Sequence, residues 1–187
     1  MQFNTFERIT SADHTAGQPE PTALIEALFP PGCAVSVFGT EDVGSRACEE
    51  LATTLTITGR RVVVVSVPGV LNTNPILHPD LTGFAQEVNR NFYTWPPPLA
   101  VEAVKRQPAD SAEGWLPALC RYFDSVLLDC PELKVSPASA AIAAMAGSAV
   151  LAVEIGKTSS WQVLRHQRIL HSTGIQLTGS ILIGAQS

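Results

Sequence analysis

The segment AVSVFGTEDVGSRACEELATTL carries glycines at Gly39 and Gly44 with the spacing of the motif GxxxxGK[ST]. A loop of that kind between a strand and a helix turns backbone N–H groups and the positive end of the helix dipole toward a phosphate. In the motif a lysine reaches the outer phosphates of a nucleotide and the next residue's hydroxyl binds Mg2+. By the same spacing those two positions here hold Ser45 and Arg46. Serine supplies no positive charge, and arginine has no lone pair for a metal and repels one. Glu41 and Asp42 add negative charge where a triphosphate would lie. Gly39, Gly44, Ser45 and Arg46 therefore read as a vestigial phosphate loop, suited at most to a weakly bound anion.

Other residue types that could do chemistry are sparse. Asp129 ends the run DSVLLD, and the C-terminal end of a strand is where ligands of open α/β sheets sit; a carboxylate capping the next turn is the plainer expectation. Gly156-Lys157-Thr158 looks like a fragment of the same motif but lacks its upstream glycine, so it reads as a strand-to-helix turn. His166 and His171 fall off the i, i+4 spacing of a shared metal and are expected on an exposed helix face. Trp95 and Trp161 are candidate partner anchors, with core packing the competing expectation for Trp161. Cys33, Cys48, Cys120 and Cys130 form no CxxC pair, which argues against zinc and against a secreted disulfide framework. Cys130 is expected to be a small buried hydrophobe. No metal site is predicted.

The elements that must position these residues follow from pattern. Strands are predicted at 34–38, 60–67, 124–129, 148–155 and 175–183. Helices are predicted at 45–59, 136–147 (Ser136 as N-cap, Pro137 in the first turn) and 159–174. Short β-branched runs alternating with helices make an α/β fold with a mostly parallel sheet and helices on both faces. The unalternating valines of RRVVVVSV belong to a strand covered on both faces. Residues 1–20 read as a flexible leader and 21–187 as a single domain, with PTALIEALFP a lid-like helix at its start. Pro68 to Pro117 is the least regular stretch; one helix is expected around Leu81–Asn89, and Pro96–Pro98 reads as a loop.

The chain has 187 residues, 45% of them hydrophobic, and a formal net charge of −5. That suffices for one core and leaves no basic stripe for nucleic acid. Its longest apolar runs are too short or too interrupted to span a bilayer. A cytoplasmic protein is expected, with no nucleic-acid partner and no direct membrane insertion.

From about Cys33 onward the chain resembles the cytosolic P-loop domain of bacterial tyrosine autokinases and their relatives in capsule and exopolysaccharide assembly. The resemblance rests on the strand-loop-helix above, on TGRRVVVVSV, on YFDSVLLDCPEL as the Walker B strand, and on SAVLAVEIGKTSSWQVLRHQRILHSTGIQLTGSILI. It implies a P-loop NTPase-like fold. It also implies what has been lost. The two second-strand aspartates of the family align with Ser66 and Pro68, and the adenine-reading asparagine aligns with Ile183. Only Asp129 remains of the acidic set. The family's tyrosine cluster has no counterpart, tyrosine occurring only at Tyr93 and Tyr122, and its Glu-x-x-Arg-x-x-Arg ring-assembly helix is not visible before Cys33.

Three readings follow. One is a non-catalytic pseudo-kinase, without a nucleotide cofactor, that scaffolds or regulates polysaccharide biosynthesis or export through a membrane chain-length or export protein, with self-association as a further contact. The second is an atypical active ATPase or protein-tyrosine kinase using ATP/ADP with Mg2+ and Asp129 as residual Walker B acid. The third is a partition- or cell-division-type P-loop regulator. Five simultaneous losses favour the first.

Overall fold

The computed structural model describes residues 28–40, 42–67, 85–95, 115–130 and 143–184. Along them run β1 (Cys33–Phe38), α1 (Val43–Ile57), β2 (Val62–Ser66), β3 (Gln86–Asn89), β4 (Phe92–Trp95), α2 (Trp115–Tyr122), β5 (Ser125–Cys130), β6 (Ser148–Glu154), α3 (Ser160–Ser172) and β7 (Gln176–Ile183). The leader, Leu24 and Ile25 of the lid-like helix, Glu41, Pro68, the Pro96–Pro98 loop, and Ser136 and Pro137 lie outside the described residues.

The strands form one seven-stranded sheet in the order β3-β4-β2-β5-β1-β6-β7. All neighbours are parallel except β3 on β4. The predicted α/β architecture is therefore the observed one. In β2 the side chains of Val63 and Val65 enter one core layer and those of Val62 and Val64 the other, because successive residues point to opposite faces. Both layers are covered, which is why the valine run does not alternate with polar residues. α1 and Phe29 close one face. Leu116 and Leu119 of α2, Leu170 of α3, and Ala143 in the helical piece before β6 close the other.

α1 buries Val43, Ala47, Cys48, Leu51, Ala52 and Leu55, an apolar stripe at helical spacing. Gly59 (φ +87°) and Gly174 (φ +74°) follow α1 and α3 in the left-handed conformation that stops a helix, as their sequence positions predict. α3 starts with a capping box: Ser159 Oγ accepts from the Gln162 N–H while Gln162 Oε1 accepts from the Ser159 N–H. Of the helix predicted at 136–147, Ala143–Ala146 are helical and described.

Three expectations are corrected here. Gln86–Asn89 is not helical but an exposed edge strand, paired with β4 through a turn at Arg90-Asn91 in which Asn91 takes φ 65°. QEVN is too polar and too short to carry a strand signature; its conformation comes from pairing with FYTW. Trp95 is no surface anchor, since its ring is buried at the end of β4. His166 is buried beneath α3 rather than on its exposed face. The short helix α2 was not placed in advance either.

Candidate functional site

β1 and β5 lie side by side, and the register sets Asp129 level with Val37 on one neighbour and Ser66 on the other. Chain leaving β1 at Phe38 must turn at once into α1, whose first turn therefore stands over Asp129. Gly39 and Gly44 make that turn possible by contact rather than by unusual dihedral angles. A Cβ on Gly39 would meet the Gly44 nitrogen at 2.4 Å and its Cα at 2.8 Å. A Cβ on Gly44 would lie 3.2 Å from the Gly39 nitrogen and 3.5 Å from Asp129 Oδ1. The Val43 N–H closes the loop on the Thr40 carbonyl at 3.0 Å. Asp42 occupies the N-cap without a side-chain bond to the helix, and its side chain is exposed. The arrangement is a phosphate-type loop: two apposed glycine backbones, a helix N-terminus and a carboxylate beside them.

Ser45 Oγ donates to Asp129 Oδ2 at 2.7 Å. In a P-loop metal site the hydroxyl that follows the lysine and the strand-end aspartate hold Mg2+ together. Ser45 thus brings a hydroxyl to the strand-end carboxylate from one position earlier than ungapped motif spacing assigns it. The two groups the motif pairs are both present, and the lysine between glycine and hydroxyl has no counterpart. The turn after β5 that Asp129 is expected to cap lies outside the described residues.

Arg46, at the next position, leaves the loop. Its Nη1 lies 3.3 Å from Glu154 Oε1, and its Nη2 donates to the Gly184 carbonyl at 2.9 Å. Glu154 ends β6 with its side chain 5% exposed, and Lys157 Nζ sits 3.1 Å from the same oxygen. The Glu154 N–H donates to Thr158 Oγ1 at 3.0 Å. Gly156-Lys157-Thr158 is therefore the turn that serves Glu154, and it takes no part in the loop. Sequence reasoning missed Glu154. Its signal was a carboxylate at the end of an otherwise apolar strand, which burial forces to find a cation. Ser66 ends β2 half-buried beside Asp129, Ile183 is fully buried in the core at the end of β7, and Pro68 lies outside the described residues.

Burial raises the pKa of the Asp129 carboxyl above the usual carboxylate value; the Ser45 hydrogen bond lowers it and the nearby Glu49 charge raises it again. An acid whose pKa is raised by folding binds its proton more tightly in the folded chain, so this group's contribution to stability falls as pH rises through that pKa. Asp129→Asn, which keeps an acceptor for Ser45, should therefore melt above the parent at neutral pH. The gap should close on acidification toward about pH 4, where unfolded carboxyls also become neutral. Thermal melts across pH check this. Cys48 and Cys130 are buried, with thiol pKa values pushed far up by loss of water, so Cys130 is the inert hydrophobe the sequence predicts. Among the described residues no group of three or more His, Cys, Asp or Glu side chains is placed to hold a metal. None of their helices is long and apolar enough to cross a membrane.

No family profile matches the sequence, and no curated protein matches it. Solved structures do. The kinase domain of the Escherichia coli tyrosine kinase ETK superposes with a TM-score of 0.67 at 18% identity, over 89% of this chain and 74% of that one. The fold is that of the bacterial tyrosine-kinase P-loop domains. The VpsO kinase domain agrees at TM-score 0.65 and 12% identity, covering 88% of this chain and 92% of its own. The cell-division ATPase MinD of Pyrococcus furiosus matches at 0.57 and 20%, over 81% of this chain and 71% of that one. At these identities the likeness speaks for the P-loop fold and for no shared chemistry.

Proposed function

We propose that this chain is a non-catalytic P-loop protein, a regulator or scaffold in bacterial polysaccharide biosynthesis or export. The observation that carries the reading is where the one arginine of the loop goes. Arg46 gives its guanidinium to Glu154 and the Gly184 carbonyl, and the loop retains no cation of its own facing the phosphates. Asp129 stands beside the loop, and Asp42 at the N-cap of α1 adds a further exposed carboxylate. A triphosphate there would meet carboxylates without the lysine that normally offsets its charge, so the residues present do not fit Mg-ATP. No catalytic residue is assigned, and Gly39, Gly44 and Ser45 are read as retained architecture.

The polysaccharide role rests on fold analogy with the kinase domains. It implies a cytoplasmic chain held at the membrane by a chain-length or export protein. One observation favours the competing reading of an atypical ATPase: Ser45 and Asp129 still form the pair that would share Mg2+. A thermal-shift titration separates the two. A functional site filled at a hundred times its Kd raises stability by about 2.7 kcal/mol, which in a chain of this size moves the Tm by about 5–10 °C. ATP or ADP at millimolar concentration, with or without Mg2+, should leave the Tm unchanged. A Mg2+-dependent rise would transfer the assignment to the ATPase reading.

A further inference from the structure

The outward side of α3 combines exposed apolar and basic side chains. Trp161, Leu164, Arg165, Arg168, His171 and Ser172 recur at helical spacing and are all exposed, while His166 and Leu170 point into the protein. Trp161 is 65% and Leu164 52% exposed. Arg165 holds its guanidinium 5.5 Å from the centre of the Trp161 ring, a cation–π contact that favours this orientation of the indole. α3 contains no aspartate or glutamate, in a chain whose 17 acidic residues outnumber its 12 lysines and arginines. Among the described residues neither Arg165 nor Arg168 makes an ion pair.

An exposed tryptophan stacked by an arginine and set beside a leucine, with arginines that make no ion pair among the described residues, is the composition of a binding surface. Tryptophan and arginine dominate contact energies, and a single exposed leucine explains nothing by itself. We infer that this stripe of α3 docks an acidic amphipathic segment of a partner protein. Such a segment would lay its apolar residues on Trp161 and Leu164 and its carboxylates on Arg165 and Arg168. Charge selects the occupant: the surface attracts carboxylates, and an overall acidic chain gains specificity by confining that attraction to one helix face. An anionic lipid surface fits less well. Polybasic lipid contacts use about four to eight lysines or arginines, and α3 presents two on a chain of net charge −5.

The test uses the full chain and a labelled synthetic helical peptide of about 16 residues, with leucines on one face and glutamates flanking them, and a counterpart in which lysines replace the glutamates. Anisotropy should show saturable binding of the glutamate peptide, weakened by salt, and a preference over the lysine peptide of at least about ten-fold. Trp161→Ala should weaken it about ten-fold. Arg165→Glu with Arg168→Glu should invert the preference, and Arg165→Gln with Arg168→Gln should abolish it without inversion. All three side chains are solvent-facing, and unchanged urea midpoints establish that the variants are folded. Absent binding, equal binding of both peptides, or binding indifferent to charge reversal would overturn the inference. Arginine-dependent binding to phosphatidylserine vesicles in place of the glutamate peptide would overturn it in favour of a membrane surface.

Discussion

Arg46→Ala should destabilise the protein by about 2–3 kcal/mol, since removing one partner of a buried ion pair leaves the other desolvated and unpaired. The partner left behind is Glu154, 5% exposed, with only the largely exposed Lys157 still beside it. The Gly184 carbonyl loses its donor in the same stroke, so the tie between the start of α1 and the ends of β6 and β7 is cut. Arg46→Thr is the more instructive variant, because it writes the hydroxyl at the position that motif spacing assigns to the metal. That hydroxyl would arise facing Glu154, away from Asp129, and the cost should match that of alanine. Adding Glu154→Gln removes the buried charge and should recover most of the loss, giving a coupling of about 1.5 kcal/mol in the double-mutant cycle. Urea unfolding of the four proteins measures it. Additive single-variant effects would show that the pair does not hold these elements together.

Gly39→Ala should cost about 3 kcal/mol, and Gly44→Ala under about 1 kcal/mol. The two glycines look equivalent in the motif, and their surroundings differ. The new Cβ at Gly39 would lie 2.4 Å from the backbone nitrogen of Gly44, which no flexible side chain can relieve. At Gly44 the nearest atoms are at 3.2 and 3.5 Å, the latter the movable Asp129 carboxylate oxygen. Equal costs would mean that the loop is open rather than pinched, and the preserved phosphate-type geometry would have to be given up. The same comparison bears on function: a chain that binds nothing in its loop still keeps the glycine its own packing demands.

Much of the fold could be read from residues alone. The five predicted strands appear within a residue or two of their expected places, because β-branched runs such as VVVVS and SAVLAVE report burial on both faces directly. The ends of α1 and α3 were legible through Gly59 and Gly174, whose backbone conformation few other residues adopt. β3 was not legible, since a four-residue polar edge strand takes its conformation from its neighbour, and β4 is a four-residue run too short to stand out as a strand. His166 went wrong for a related reason: polarity placed it outside, while the pitch of α3 carries it under the helix.

At the site, residue identity was legible and direction was not. Spacing found Gly39, Gly44, Ser45, Arg46 and Asp129, yet an ungapped reading set Ser45 in the lysine's place and Arg46 in the hydroxyl's. The rotation of α1 decides otherwise, sending Ser45 to Asp129 and Arg46 to Glu154 across neighbouring strands. No one-dimensional motif contains that rotation. Within the loop, the hydroxyl meets the strand-end acid and the one guanidinium is held by Glu154.

The most direct measurement is a calorimetric titration of the full chain with ATP in the presence and absence of Mg2+. The account predicts no saturable heat up to about millimolar nucleotide, a Kd weaker than about −4 kcal/mol of binding free energy. Saturable, Mg2+-dependent binding with a Kd below about 100 μM, weakened by Ser45→Ala or Asp129→Asn, would contradict it and make the Ser45–Asp129 pair a working metal site.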